Sequence, residues 1–241
     1  KWEDFWYDPQ VRHLYFMGKD NLPFHTLFWP GQLMGTDPKL HLPDVASINM
    51  FLDFEGKKFS KSRGVTLPIV NLVDRFGNDA VRFYLTHVMP EQKDSSFSWN
   101  DFLRVNNEIL IATFGNYINR VLTMVSNTDV QQIHQAVITD ETKTQIEGAF
   151  SLARQKLEGL NFREYLQIII SLADYGNKQV EKHQIYRLKK DLGPNFYTHI
   201  KQSYALVTSL AILVIPLMPE TSSKIFTSLG LSEFSTWPKL K

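Results

Sequence analysis

Lys57-Lys58-Phe59-Ser60-Lys61-Ser62-Arg63-Gly64 places three cations within five residues, interleaves them with hydroxyls and closes on Arg-Gly. The turn Asp53-Phe54-Glu55-Gly56 precedes it, and the apolar stretch Ile48-Asn49-Met50-Phe51-Leu52 runs up to that turn. A loop of this composition can wrap a polyphosphate. Ammonium groups offset the charge, while hydroxyls and backbone N–H groups donate to the oxygens. A Lys-Ser-Lys run taken alone is more often a solvated basic loop, so its neighbours decide the reading.

Outward from the loop, the chain has two textures. Prolines are dense up to Pro90 and then absent until Pro194. In the first region, His13-Leu14-Tyr15-Phe16-Met17-Gly18 reads as a buried strand ending on glycine. Phe24 to Leu33 reads as a helix shortened or kinked at Pro30. Leu67 to Phe76 reads as a helix stopped by Gly77, and Asn78-Asp79 as the cap of another over Ala80 to Val88. Strands alternating with helices predict an α/β unit. A helix and a strand between Phe24 and Leu52 could bring the Gly18 turn and the lysine loop to one edge of one sheet.

From about residue 99 the apolar spacing turns helical. Asn100 or Asp101 is the expected cap of a long helix to about Val125. Further helices fit Asp140 to Glu158, Phe162 to His183, Phe196 to Pro216 and Pro219 to Leu229. That pattern predicts an all-α bundle. The boundary falls near Pro90 to Trp99, giving regions 1–98 and 99–241.

Composition bounds the function. The chain has 241 residues, 43% hydrophobic and 21% charged, with a formal net charge of +1. That is an ordinary globular balance, and nucleic acid would have to be held by local patches. There is no cysteine, which removes disulfides and thiolate metal sites and suits a reducing compartment. No His-x-x-x-His pair occurs, so no metal site is expected. The longest apolar run, Ala205 to Met218, is too short for a bilayer and reads as a buried helix. No signal peptide is read at the start, and the opening Lys1-Trp2-Glu3 suggests a piece of something longer.

Four groups of residues could carry chemistry. Gly18-Lys19-Asp20-Asn21 follows a strand directly, where ligands sit in open α/β sheets. Gly18 would let a ligand approach the backbone, Asp20 could accept from a ribose hydroxyl or an amine, and His25 lies one turn on. As structure alone, Asp20 or Asn21 would merely cap a helix. The lysine loop is the second group. Asn116 and Arg120, at i and i+4, share a helix face and suit base or phosphate contacts, although a solvated stripe has the same pattern. Lys178, Lys182, His183, Arg187, Lys189 and Lys190 surround Tyr186, the composition of a stacking platform or of a solvated helix end.

Together, Phe16-Met17-Gly18-Lys19-Asp20-Asn21-Leu22-Pro23-Phe24-His25-Thr26 and Lys58-Phe59-Ser60-Lys61-Ser62-Arg63-Gly64 resemble the methionyl-tRNA synthetases, class I aminoacyl-tRNA synthetases. The second stretch resembles their KMSKS loop, with Phe59 in the Met position. Asp94-Ser95-Ser96-Phe97-Ser98-Trp99, Gly115-Asn116-Tyr117-Ile118-Asn119-Arg120 and Ile215-Pro216-Leu217-Met218-Pro219 extend the resemblance through the chain. It implies the second half of a Rossmann-type catalytic domain with a stem-contact region, followed by a helical anticodon-binding bundle.

On that resemblance, Gly18, Asp20, Asn21 and His25 belong to the ATP and methionine site, and Lys58, Ser60 and Lys61 meet ATP phosphates. Asn116, Arg120 and Tyr186 read the anticodon. Ile185-Tyr186 stands where the family carries Pro-Trp, so Tyr186 offers a smaller stacking surface. The implied partners are ATP with Mg2+, methionine and tRNA(Met), in the cytoplasm, with no membrane. The HIGH-bearing half and the zinc-bearing insertion of the family are not in the sequence, so no zinc site is expected. The chain alone should then be inactive and should need the amino-terminal half, in cis or in trans. The alternatives are a tRNA-binding module without chemistry and an unrelated phosphate-binding domain.

Overall fold

The structure is a computed structural model that describes residues 1–60, 64–126 and 128–232, with only the backbone at Val130. It divides into two compact units. The first holds residues 1–66 and 88–97, and the second holds 67–87 and 98–241.

The first unit opens with α1 (Glu3–Trp6) and β1 (Leu14–Gly18). A short 3-10 turn (Lys19–Asn21) and a π-helical turn (Phe24–Phe28) lead into α2 (Trp29–Thr36). Pro30 sits in the first turn of α2. Proline has no N–H to give, and the wider turn ahead of it accommodates the lost bond. β2 (Val45–Asn49) then lies parallel to β1, with Leu14 opposite Val45 and Gly18 opposite Asn49.

The single strand expected through Leu52 is interrupted. Met50 donates its N–H to the Pro90 carbonyl at 2.7 Å, and Phe51 donates to Asp94 Oδ1 at 2.9 Å. Those bonds tie the break to the segment before β4. The chain resumes as β3 (Leu52–Phe54), parallel to β4 (Ser95–Phe97) in a second two-stranded sheet. The Gly18 turn and the lysine loop therefore leave different sheets, which corrects the one-sheet expectation. Glu55 and Gly56 have φ of 50° and 70°, and Phe54 and Lys57 exchange both backbone bonds across them. That is a tight hairpin of the primed type, which requires positive φ at both central residues.

The second unit is helical. α3 (Ile69–Phe76) and α4 (Asn78–His87) pack here rather than with the strands. α4 starts at Asn78, and Asp79 does not cap its own helix. Its Oδ2 accepts the Thr221 N–H at 2.6 Å, at the positive end of α12 (Pro219–Ser228). Arg82 closes the same junction by donating to the carbonyls of Pro216 and Leu217, each at 2.7 Å.

The long helix expected to Val125 is one helical run in three parts. These are α5 (Trp99–Arg104), a π-helix (Val105–Gly115) and α6 (Asn116–Val125). Its N-cap is Ser98, in extended conformation, rather than Asn100 or Asp101. Asp101 instead accepts from the Tyr84 hydroxyl at 3.1 Å and pairs with Arg104.

α7 (Val130–Gln135), α8 (Asp140–Glu158), α9 (Phe162–Lys182), α10 (Ile185–Leu188), α11 (Pro194–Leu213) and α12 complete the unit. α8 lies against α9, and α11 packs on α6, α7, α8, α9 and α12. α11 is buried through Phe196, Ile200, Leu206, Val207 and Leu210, as an apolar helix at the centre of a bundle must be. Among the described residues no helix is long and apolar enough to cross a membrane.

Candidate functional site

β1 delivers Gly18 at its carboxyl end, and the 3-10 turn presents Lys19, Asp20 and Asn21 immediately after it. Asp20 folds back so closely that a Cβ on Gly18 would lie 2.8 Å from its Oδ1. Glycine is needed here to seat that carboxylate. Asp20 and Asn21 are exposed. His25 points its Nδ1 to the Asn21 carbonyl at 3.1 Å, and its ring lies 6.0 Å from that of Tyr15. Tyr15 in turn accepts from Trp29 Nε1 at 3.1 Å. His25 is thus oriented by the turn that carries Asp20, and its bond consumes Nδ1 and leaves Nε2 for other partners.

The lysine loop grows from the hairpin after β3. Ser60 and Val65 exchange both backbone hydrogen bonds, at 2.9 and 3.0 Å, which fastens the loop's two ends together. Gly64 has φ of +70°, the left-handed region that glycine enters freely. Lys58 is exposed, its Nζ 5.6 Å from the Phe51 ring centroid. Lys61, Ser62 and Arg63 lie outside the described residues.

Asp94 and Phe51, which the sequence gives no site role, connect the turn to this loop. Asp94 accepts from Lys19 Nζ at 2.7 Å and from the Phe51 N–H at 2.9 Å. Lys19 Nζ also sits 4.2 Å from the centroid of the Phe51 ring. The Lys19 hydrogen bond, then the Phe51 N–H and the charges of Lys19 and Lys58, hold the Asp94 carboxyl below the usual carboxylate range. In the sequence Asp94 stands in a polar junction that also carries part of the family resemblance, but its role appears only through partners 43 and 75 residues away.

The helical unit carries the second group. Asn116 opens α6 and is exposed, and Arg120 lies one turn on. Arg120 Nη2 pairs with Glu181 Oε1 of α9 at 2.7 Å. Glu181, which sits among the cations around Tyr186 in the sequence, is the partner that orients Arg120. On the same α9 face, Asn177 donates from Nδ2 to the Thr113 carbonyl at 2.9 Å, tying down the π-helix just before Asn116.

Tyr186 is exposed on α10, with the Arg187 guanidinium 5.9 Å from its ring. The surrounding basic cluster is partly engaged. Lys178 pairs with Asp174, Lys189 donates to the Thr123 carbonyl, and the His183 ring stacks on His199 at 4.0 Å. An open cavity of about 940 Å³ in this unit is lined by Phe76, Leu110, Phe114, Ile118 and Glu220, with Asn116 and Asn119 at its polar edge. It belongs to the Asn116 group, and none of the described lysine-loop residues line it. Among the described residues, no three His, Asp or Glu side chains gather as metal ligands would.

The chain matches the family model for class I (M) tRNA synthetases over residues 1–122. It is 34% identical to the methionine--tRNA ligase of Pyrococcus abyssi over 251 residues, covering 98% of this chain and 35% of that protein. It is 33% identical to the methionine--tRNA ligase of Chloroflexus aurantiacus, covering 98% of this chain and 42% of that protein. The solved Mycobacterium tuberculosis methionyl-tRNA synthetase in complex with methionyl-adenylate shares its fold, with a TM-score of 0.81 at 25% identity. That similarity covers 93% of this chain and 45% of the solved chain. The chain thus spans about a third to somewhat under half the length of these relatives. With the Gly-Lys-Asp-Asn turn, the hairpin-borne lysine loop and similarity along its whole length, this chain belongs to the methionyl-tRNA synthetase family of class I tRNA synthetases.

Proposed function

We propose that this chain serves a methionine--tRNA ligase in two ways: its first unit handles the phosphates of ATP, and its helical unit reads tRNA(Met). In the activation step the carboxylate of methionine attacks the α-phosphorus of ATP and pyrophosphate leaves. Lys58, Ser60 and Lys61 offset the charge that grows on the leaving oxygens, which is the main protein contribution in phosphoryl and nucleotidyl chemistry. Gly18, Asp20, Asn21 and His25 form the wall that takes the nucleoside and the amino acid. Mg2+ enters with the nucleotide, carried by its phosphates.

The observation that carries this reading is the link from the Gly18–Asn21 turn to Lys58. It runs through Lys19, Asp94 and Phe51, and it supports the reading by joining the two segments that we assign to nucleotide binding.

A complete ATP site needs a further segment, in cis or as a separate polypeptide. The first unit leaves Phe16 56%, Phe24 58% and Phe28 55% exposed, more aromatic surface than a closed unit shows. In the second role, Asn116 and Arg120 meet the anticodon bases and Tyr186 offers a stacking face. Arg120 must first leave Glu181, or share it, to reach an RNA base. The ligase so described works in the cytoplasm.

Titrating this chain with a CAU anticodon stem-loop tests the RNA role. The expected result is salt-sensitive binding that Arg120→Ala weakens and Lys58→Ala leaves unchanged. Equal binding to a stem-loop with another anticodon would contradict it. The isolated chain should show no methionine-dependent ATP–pyrophosphate exchange.

A further inference from the structure

We propose that Asp94 is a positioning residue that divides the work between two lysines, pinning Lys19 over Phe51 and leaving Lys58 as the cation that meets phosphate. The inference rests on the reading of the lysine loop as a polyphosphate site.

The geometry is specific. Lys19 Nζ is 4.2 Å and Lys58 Nζ 5.6 Å from the centroid of the same Phe51 ring. One aromatic face attracts an ammonium, but two ammoniums beside one ring repel each other. The Asp94 carboxylate resolves that conflict. It sits 2.7 Å from Lys19 Nζ, neutralising that lysine, and at the same time takes the Phe51 N–H at 2.9 Å, fixing the residue that carries the ring. Lys58 makes no ion pair with any described residue.

Asp94 also joins three segments distant in sequence: the turn after β1, the break between β2 and β3, and the entry to β4. The Lys19–Asp94 pair is about a third to a half exposed, so its direct contribution to stability is small. What it supplies is placement. Without the carboxylate, Lys19 becomes a second free cation beside the loop, and the Phe51 ring loses the acceptor charge that balances its two neighbours.

The test uses this chain labelled with carbon-13 at the lysine ε position, with signals assigned by single Lys→Arg variants and inorganic pyrophosphate as the probe. In the unmodified chain both Lys19 and Lys58 should show ring-shifted ε signals, and pyrophosphate should move Lys58 alone. In Asp94→Asn, whose amide oxygen can still accept the Phe51 N–H, Lys19 should lose its ring shift and begin to respond to pyrophosphate. Phe51→Leu, which leaves the carboxylate in place, should bring both signals to ordinary lysine positions. The proposal is overturned if Lys19 responds as strongly as Lys58 in the unmodified chain. It is equally overturned if Asp94→Asn leaves Lys19 shifted and silent. No response from either lysine removes the phosphate role of the loop, and the division of labour with it, whatever the ring shifts show.

Discussion

Gly176 and Tyr117 meet where α9 passes α6. A Cβ on Gly176 would lie 2.2 Å from Tyr117 Cζ, with both ring Cε atoms inside 2.7 Å. The ring is fully buried and cannot retreat, and desolvation pushes its phenol well above the ordinary tyrosine range. Gly176→Ala should therefore act as overpacking and cost about 1–3 kcal/mol. For a chain of this size that lowers Tm by roughly 2–4 °C for each kcal/mol. Thermal unfolding checks it, and an unchanged Tm would contradict the packing described.

Gly18 is a different case. Its added Cβ would meet only the free end of Asp20, a carboxylate that can rotate away. Gly18→Ala should leave the unfolding free energy within about 0.5 kcal/mol of the parent. In the complete ligase it should still raise KM for ATP, because Asp20 loses its seat. Unchanged ATP kinetics would remove Gly18 and Asp20 from the nucleotide wall.

At the level of elements, α9 and α11 meet through the His183 and His199 rings, stacked at 4.0 Å and 20°. Burial, and then the His183 charge, depress the His199 pKa. His87 on α4 is depressed too, by burial first, with Arg163 and Arg104 adding to it and Asp101 opposing. A histidine whose folded pKa lies below its unfolded value is protonated first in the unfolded chain. Stability should thus fall as pH drops below about 6.5 and level off beneath the folded pKa. Tm measured between about pH 7.5 and 5.5 should decline, and His199→Gln should flatten part of that slope. An unaltered slope would place the effect elsewhere.

These helices were legible because their apolar residues recur at helical spacing over long spans, and Asp140–Glu158 has the bounds that the pattern predicts. The short α10 was not, since it begins after Gln184 at φ 47°, a turn no periodicity announces. The π-helix was hidden for a related reason. Its register depends on bonds such as Thr113 Oγ1 to the Glu108 carbonyl and on Asn177 reaching over from α9.

For the molecule as a whole, the two units differ in how far their own residues close them. The helical unit buries Phe83, Tyr84, Tyr165, Phe196 and Phe226 almost completely, while the first unit fully buries few large side chains beyond Phe97. The residues proposed for the site, Gly18, Asp20, Lys58, Asn116 and Arg120, stand out in the sequence because their types and order are distinctive. Asp94, Phe51 and Glu181 do not, because each acts through a partner tens of residues away.

That same long-range placement makes Lys58 the cation on which nucleotide chemistry should turn. Methionine-dependent ATP–pyrophosphate exchange by the complete ligase carrying Lys58→Ala tests this directly. The kcat of exchange should fall at least about tenfold, equivalent to ~1.4 kcal/mol of transition-state stabilisation, with Tm unchanged. Exchange at the parent rate would contradict the assignment of the lysine loop to ATP.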